Sequence, residues 1–189
     1  KLLHRMRVRR LQGEAIRDAI LAVSGRLDKK MFGPPVAVHL TSFMEGRGRP
    51  RSGPLDGAGR RTVYQEVRRN FLSPMMLAFD MPQPLSTFGR RTDSNVPAQA
   101  LIMMNDPFVV EQAKLWGKRM LAVGPDDAAR VRAAYALTFS REPSDAEQAT
   151  ASAFLTDQAK AHGEAQPGEK AWADFCHALL NVKEFLFLN

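Results

Sequence analysis

Apolar positions recur at helical spacing at both ends of this chain and lose their period in between. Leu11, Ala15, Ile16, Ala19, Ile20 and Val23 fall three and four apart, and Gly25 follows as a C-cap, so a helix is expected over residues 5–25. From 26 to 60 the period fails. Gly33-Pro34-Pro35, then Glu45 to Pro54 with its alternating Gly, Arg and Pro, then Gly57 and Gly59 mark loops. Val36, Val38 and Leu40 alternate with Ala37 and His39; Val63 and Val67 stand opposite Thr62, Tyr64 and Glu66. Both read as short strands, and their pairing would give an antiparallel ribbon closing the arginine-rich loop 41–60. Pro74, Pro82 and Pro84 forbid a continuous helix, so residues 70–95 read as extended and irregular.

From Val96 onward the pattern is helical. Pro97 suits the first turn of one helix, with Ser94 or Asn95 as its cap, and Asn105-Asp106-Pro107 repeats the arrangement for the next. That second helix carries Val109, Ala113, Trp116 and Met120 on one face. Asp126 or Asp127 opens a third, with Val131, Tyr135 and Phe139 four apart. Ser144-Asp145-Ala146-Glu147 after Pro143 is a capping box, followed by Phe154, Leu155 and Gln158. Residues 162–169 are polar turn material. A last helix presents Trp172, Phe175, Cys176, Leu179 and Leu180, and Phe185, Leu186 and Phe187 form an apolar tail expected to dock on the core. The fold class is therefore mostly α: a helical domain with a small two-stranded antiparallel β-ribbon and a long irregular Arg/Pro-rich segment. The chain reads as a single domain over 1–189, or the C-terminal part of a larger one. Residues 1–95 hold the Arg-rich helix, ribbon and extended segment, and 96–189 a bundle-like part. No repeat is visible.

The stretch Gly89 to Pro107 departs from ordinary amphipathic patterning. Val96, Ala98, Ala100, Leu101, Ile102, Met103 and Met104 leave little polar face, so this helix is expected to be surrounded on most sides. Asn95, Gln99 and Asn105 would then lie inside or at its edge. A buried carboxamide needs partners, and the neighbouring Pro-rich backbone has free ones to offer. Gln99 and Asn105 are expected to be at least half buried and to hold residues 80–95 by hydrogen bonds.

Charge sharpens this picture. The net charge is +7 over 189 residues, but residues 1–91 carry 18 basic and 7 acidic side chains, whereas 92–189 carry 9 and 13. In the basic half 15 of the cations are arginine, the side chain suited to bidentate pairing with carboxylate, sulfate or phosphate. These arginines either pair internally, face an acidic surface of a preceding segment or another subunit, or bind a polyanion such as an acidic glycan. Glu14 and Asp18, with Arg10 and Arg17 nearby, supply some local partners. Gly46-Arg47-Gly48-Arg49 lacks interleaved aromatics and reads as a surface loop, so nucleic acid is not the expected partner. The candidate polar network or anion-binding set is Arg61, Tyr64, Arg68, Asp80, Arg90, Arg91, Asp93, Asn95, Gln99 and Asn105. As a structural network, Asp80 and Asp93 would pair with Arg68 and Arg91, and Arg90 or Arg91 would meet Asp80 or Asp93 in the layer of the carboxamides.

No motif points to a reaction. His4, His39, His162 and His177 show no metal-ligand spacing, and the one cysteine, Cys176, excludes an internal disulfide and a Cys-based zinc cluster. Phosphate-binding, dinucleotide-binding and nucleophile-elbow signatures are absent, as is a c-type haem attachment motif. No cofactor is expected in this chain. No apolar run approaches the roughly 20 residues of a membrane helix. The chain begins at Lys1 without an initiator methionine or signal-peptide core, which reads as a fragment or processed product.

Five segments in order carry a resemblance: Arg10 to Gly25, Arg60 to Tyr64, Phe79 to Pro82, Pro97 to Asn105, and the tail Ala178 to Leu186. Together they resemble an uncharacterised family, the C-terminal domain of planctomycete-type exported proteins that often also carry a cytochrome c domain. The likeness spans nearly the whole chain and covers the later part of that domain. It implies an extracytoplasmic setting in periplasm or cell envelope, a multidomain parent and a haem-bearing neighbour. It carries over no catalytic residue. Two functions follow as expectations: a non-catalytic scaffold or partner-binding module of a larger exported protein, or part of an enzyme acting on an anionic substrate such as an acidic polysaccharide, redox-coupled through the cytochrome. They differ in the state of the arginines. A closed, fully paired network fits the scaffold; an open arginine cluster beside a titratable acid fits the enzyme.

Overall fold

A computed structural model describes residues 8–85, 87, 89–124 and 126–188. Residues 5–7 of the expected first helix, and His4, lie outside the described residues. Eight helices run through them: α1 Gly13–Ser24, α2 Pro74–Ala78, α3 Pro97–Asn105, α4 Pro107–Leu121, α5 Asp127–Phe139, α6 Asp145–Ala161, α7 Glu169–Leu180 and α8 Lys183–Leu186. Two 3-10 turns, Gly57–Gly59 and Thr62–Tyr64, interrupt the irregular segment. The mostly α class with one small antiparallel ribbon is what the sequence pattern led to, but the ribbon is made elsewhere.

Strand β1, Arg9–Arg10, pairs antiparallel with β2, Phe187–Leu188, in the register Arg9 to Leu188 and Arg10 to Phe187. This is why α1 begins at Gly13: Arg9, Arg10 and Gln12 run extended, and the Leu11 amide donates to the Leu186 carbonyl at 2.8 Å. The expected ribbon of 36–40 with 63–67 reduces to a single parallel bridge between Val36 and Gln65. Thr62 is drawn onto α1 by Asp18, which winds 62–64 into a turn, and Val63 and Val67 end up exposed. Val38 and Leu40 are buried as the alternation suggested, in a small separate cluster with Phe71.

The main core forms where α4 lies between α1 and α7. A Cβ on Gly117 would fall 2.7 Å from the Ala173 nitrogen and 2.8 Å from the Trp172 carbonyl carbon, so the α4 and α7 backbones approach closely there. Trp116 and Trp172 are fully buried nearby, with Ile16 and Ile20 supplied by α1. Caps form as their residues dictate. Asp106 accepts from the Phe108 amide, Asp126 from the Ala129 amide, and Ser144 with Glu147 makes a complete capping box. Neither Ser94 nor Asn95 caps α3; its N-cap is Val96, without a side-chain bond.

At the far end Arg141 ties three helices together. Its guanidinium donates to both oxygens of Glu147 at 2.7 and 2.9 Å and to both of Glu184 at 2.8 Å. It also lies 5.5 Å from the Tyr135 ring centre. The apolar tail docks as expected: Phe185 is buried, and Leu186 packs against the core.

Candidate functional site

The ribbon decides where the central cation goes. Alternation along β1 turns Arg9 outward and Arg10 inward, and Arg10 is 7% exposed. Its Nη2 donates to Asp80 Oδ2 at 2.5 Å, its Nε to the Ser94 carbonyl at 3.2 Å, and its Nη1 to the Leu11 carbonyl at 3.3 Å. The guanidinium carbon stands 5.2 Å from the centre of the Phe79 ring.

Asp80 is held just as firmly. It sits at φ 60°, the left-handed conformation that ends α2. The Asp80 amide donates to Leu77 and the Met81 amide to Met76, the paired bonds of a Schellman ending with Asp in the usual glycine place. The carboxylate thereby faces Ser94, whose amide donates to Oδ2 at 2.8 Å and whose hydroxyl donates to Oδ1 at 2.7 Å. Asp93 is peripheral: 3.7 Å from Arg10, with its side chain 58% exposed.

Gln99 closes the network from α3. It is 5% exposed, and its Nε2 lies 3.0 Å from the Ala78 carbonyl, 3.2 Å from that of Ser94 and 3.3 Å from the Ser94 hydroxyl. The amide thus pins the end of α2 and the segment before α3, as expected. Asn105 does not share this role. It is exposed, and its Nδ2 donates back to Leu101 within its own helix at 2.9 Å. Asn95 is exposed too. The helix is less enclosed than its apolar content suggested. Gln99 and Met103 face inward, while Val96, Leu101 and Met104 are 43%, 59% and 57% exposed.

Three of the remaining candidate arginines, Arg61, Arg68 and Arg91, pair, but with acids other than Asp80 and Asp93. Arg91 meets Glu14, donating at 2.6 and 3.0 Å, and also reaches Gln12 at 2.9 Å. Arg68 takes Glu66 at 2.9 Å, and Arg61 lies 3.6 Å from Asp18. Neither Arg68 nor Arg91 bonds Asp80 or Asp93, because Arg10 occupies that position once the ribbon forms. Tyr64 lies beneath the Arg60 guanidinium, 4.2 Å from ring centre to carbon, and its hydroxyl accepts from the Phe32 amide at 2.7 Å. Arg90 is exposed and has no ion pair among the described residues.

Arg17 is the second buried cation that the sequence reading did not single out. It is 4% exposed and donates to the carbonyls of Arg60 and Asp56 and to the Thr62 hydroxyl at 3.0, 2.8 and 3.0 Å. The signal was present: Gly13, Arg17, Ile20 and Ser24 fall on one face of α1, and all four are buried. Arg10 had no such signal, since its burial depends on pairing with residues almost the whole chain away.

The electrostatics are those of engaged groups. Burial raises the Glu14 carboxyl, but the Arg91 bonds outweigh it and leave the acid below its ordinary range. Burial lowers Arg17. A cleft of about 500 Å³ runs beside α1, lined by Glu14, Asp18, Arg61, Glu66 and apolar side chains including Val63 and Met76. Each of its carboxylates is bound: Glu14 by Arg91, Asp18 by the Thr62 amide and hydroxyl, Glu66 by Arg68. No group of three or more His, Cys, Asp or Glu among the described residues could hold a metal ion. Burial pushes the Cys176 thiol well up, away from thiolate reactivity.

Residues 1–155 match the family model described as PSD1, protein of unknown function (DUF1553). The chain belongs to the PSD1 family. In this PSD1 chain the matched residues include the whole Arg10, Asp80, Ser94 and Gln99 network and both buried arginines. Helix α7, the tail and the segment Ala178 to Leu186 lie beyond the match. No curated protein and no solved structure matches the chain. Among the described residues no helix is long and apolar enough to cross a membrane.

Proposed function

We propose that this domain is a non-catalytic scaffold and partner-binding module of a larger exported protein, extracytoplasmic and of planctomycete type, with haem carried by a neighbouring cytochrome c domain. The observation that carries the reading is that the buried arginines and Arg91 are engaged, with Arg90 the one candidate arginine left without an ion pair among the described residues. Arg10, Arg17 and Arg91 are each bonded to carboxylates or carbonyls, and Asp80 is fully engaged by Arg10 and Ser94. An enzyme acting on an anionic substrate needs open cations beside an acid or base free to move a proton. The acids here hold backbone segments in place.

The partner surface in this reading is the outer face of α3. Leu101 and Met104, with Val96 before them, leave an uncharged apolar surface over a helix whose inner face is anchored by Gln99. The partner is the remainder of the parent protein or another subunit. The test produces the domain and the remainder of its parent as separate chains and measures their association by calorimetry. Association should occur, and Leu101→Glu with Met104→Glu should weaken it at least ten-fold, about 1.4 kcal/mol, with the urea midpoint unchanged. Association that ignores these substitutions refutes the assignment.

A further inference from the structure

Phe43 has 93% of its surface exposed, more than any other large apolar side chain among the described residues. Its loop is nevertheless firmly based. The Gly53 amide donates to the Val38 carbonyl at 2.9 Å and the Leu40 amide to the Ser52 hydroxyl at 3.0 Å, closing residues 41–52 at their root. Gly53 has no room for a side chain, because a Cβ would collide with the Ala37 carbonyl. Met44 turns inward onto Val38, Leu40 and Phe71, and a Cβ on Gly46 would fall 3.5 Å from the Phe71 ring. With Met44 inside, its neighbour Phe43 is directed to solvent. Arg47, Arg49 and Arg51 on the same loop are exposed and without ion pairs among the described residues, as is Arg69 on the turn entering Phe71. Glu45 is the loop's single acid.

We propose that the 41–52 loop docks the protein on an anionic lipid surface, with Phe43 entering the headgroup region and the arginines binding lipid phosphates. The chemistry follows from exposure and charge together. An aromatic ring is stabilised at a membrane interface, and guanidinium groups bind phosphate through several donors at once. A glycan or single-stranded nucleic acid would need a groove with a wall to track the chain. Phe43, almost wholly exposed, has no such wall. This inference is independent of the α3 partner surface, since the two use different elements.

The test is cosedimentation of the whole protein with vesicles. Vesicles containing phosphatidylglycerol should bind it, and binding should fall as salt is raised; pure phosphatidylcholine vesicles should not. Replacing Arg47, Arg49 and Arg51 together with alanine should weaken binding by about a hundred-fold, at about five-fold for each cation. Phe43→Ala should weaken it several-fold with an unchanged urea midpoint. No binding to anionic vesicles at low salt overturns the proposal, as does binding that Phe43→Ala leaves unchanged. Heparin retention that the arginine substitutions abolish, with vesicles unbound, would assign the loop to an acidic glycan instead.

Discussion

Asp80→Ala should be among the most damaging single changes outside the apolar core. It removes the carboxylate facing Arg10, whose side chain is 5% exposed, and deprives Ser94 of two acceptors. Stripping a buried cation of its partner costs about 3–5 kcal/mol. Arg10 keeps the carbonyls of Ser94 and Leu11 and the more distant Asp93, which places the charge term near about 3 kcal/mol. Alanine at φ 60° adds about 1 kcal/mol of backbone strain. A loss near 4 kcal/mol corresponds to a urea midpoint lower by about 2 M, at a slope of roughly 2 kcal/mol per molar. Urea unfolding followed by the fluorescence of the buried Trp116 and Trp172 measures it. Asp80→Asn tolerates the same backbone and should lose only the charge term. Asp93→Ala, at a side chain 58% exposed, should change stability by no more than about 0.5 kcal/mol. Asp80→Ala no worse than Asp93→Ala would refute the role of Asp80 as the partner of buried Arg10.

Two further changes probe the helical part. Arg141 holds Glu147 down to a pKa of about 2, chiefly through its side-chain hydrogen bonds, and lowers Glu184 in the same way. A depressed carboxylate stabilises above its unfolded value of about 4.5, and that stability is lost as pH falls toward about 2. Arg141→Gln should therefore lower the thermal midpoint at neutral pH, with the gap narrowing through that window; a pH-independent gap contradicts this. Ser144→Ala removes half of the capping box and should cost about 0.5–2 kcal/mol in urea unfolding, so an unchanged midpoint would count against the cap.

Local signals in the sequence were accurate where local chemistry decides the structure. Gly25, Pro97, Asp106, Asp126 and Ser144 mark helix ends because caps and first-turn prolines act within a few residues. Gln99 was legible because an amide in the middle of an apolar helix has to find partners, whereas Asn105, at the helix end, bonds its own Leu101 carbonyl and stays exposed. The ribbon was not legible: pairing of Arg9 and Arg10 with Phe187 and Leu188 joins the two ends of the chain, and two-residue strands have no period. The network was misassigned for the same reason, since Arg10 reaches Asp80 only through that pairing. The exposure of Leu101 and Met104 was missed because apolar content alone does not say that a face is covered.

The two faces of α3 test the central claim, that its polar network is structural while its outer surface is free to bind. Gln99→Leu leaves the Ala78 carbonyl without its donor, whereas the Ser94 carbonyl keeps Arg10. It should destabilise by about 1–3 kcal/mol in urea unfolding. Leu101→Glu, at a residue 59% exposed one turn-half away, should shift stability by no more than about 0.5 kcal/mol. An unchanged midpoint for Gln99→Leu, or a collapse of stability with Leu101→Glu, would contradict the account.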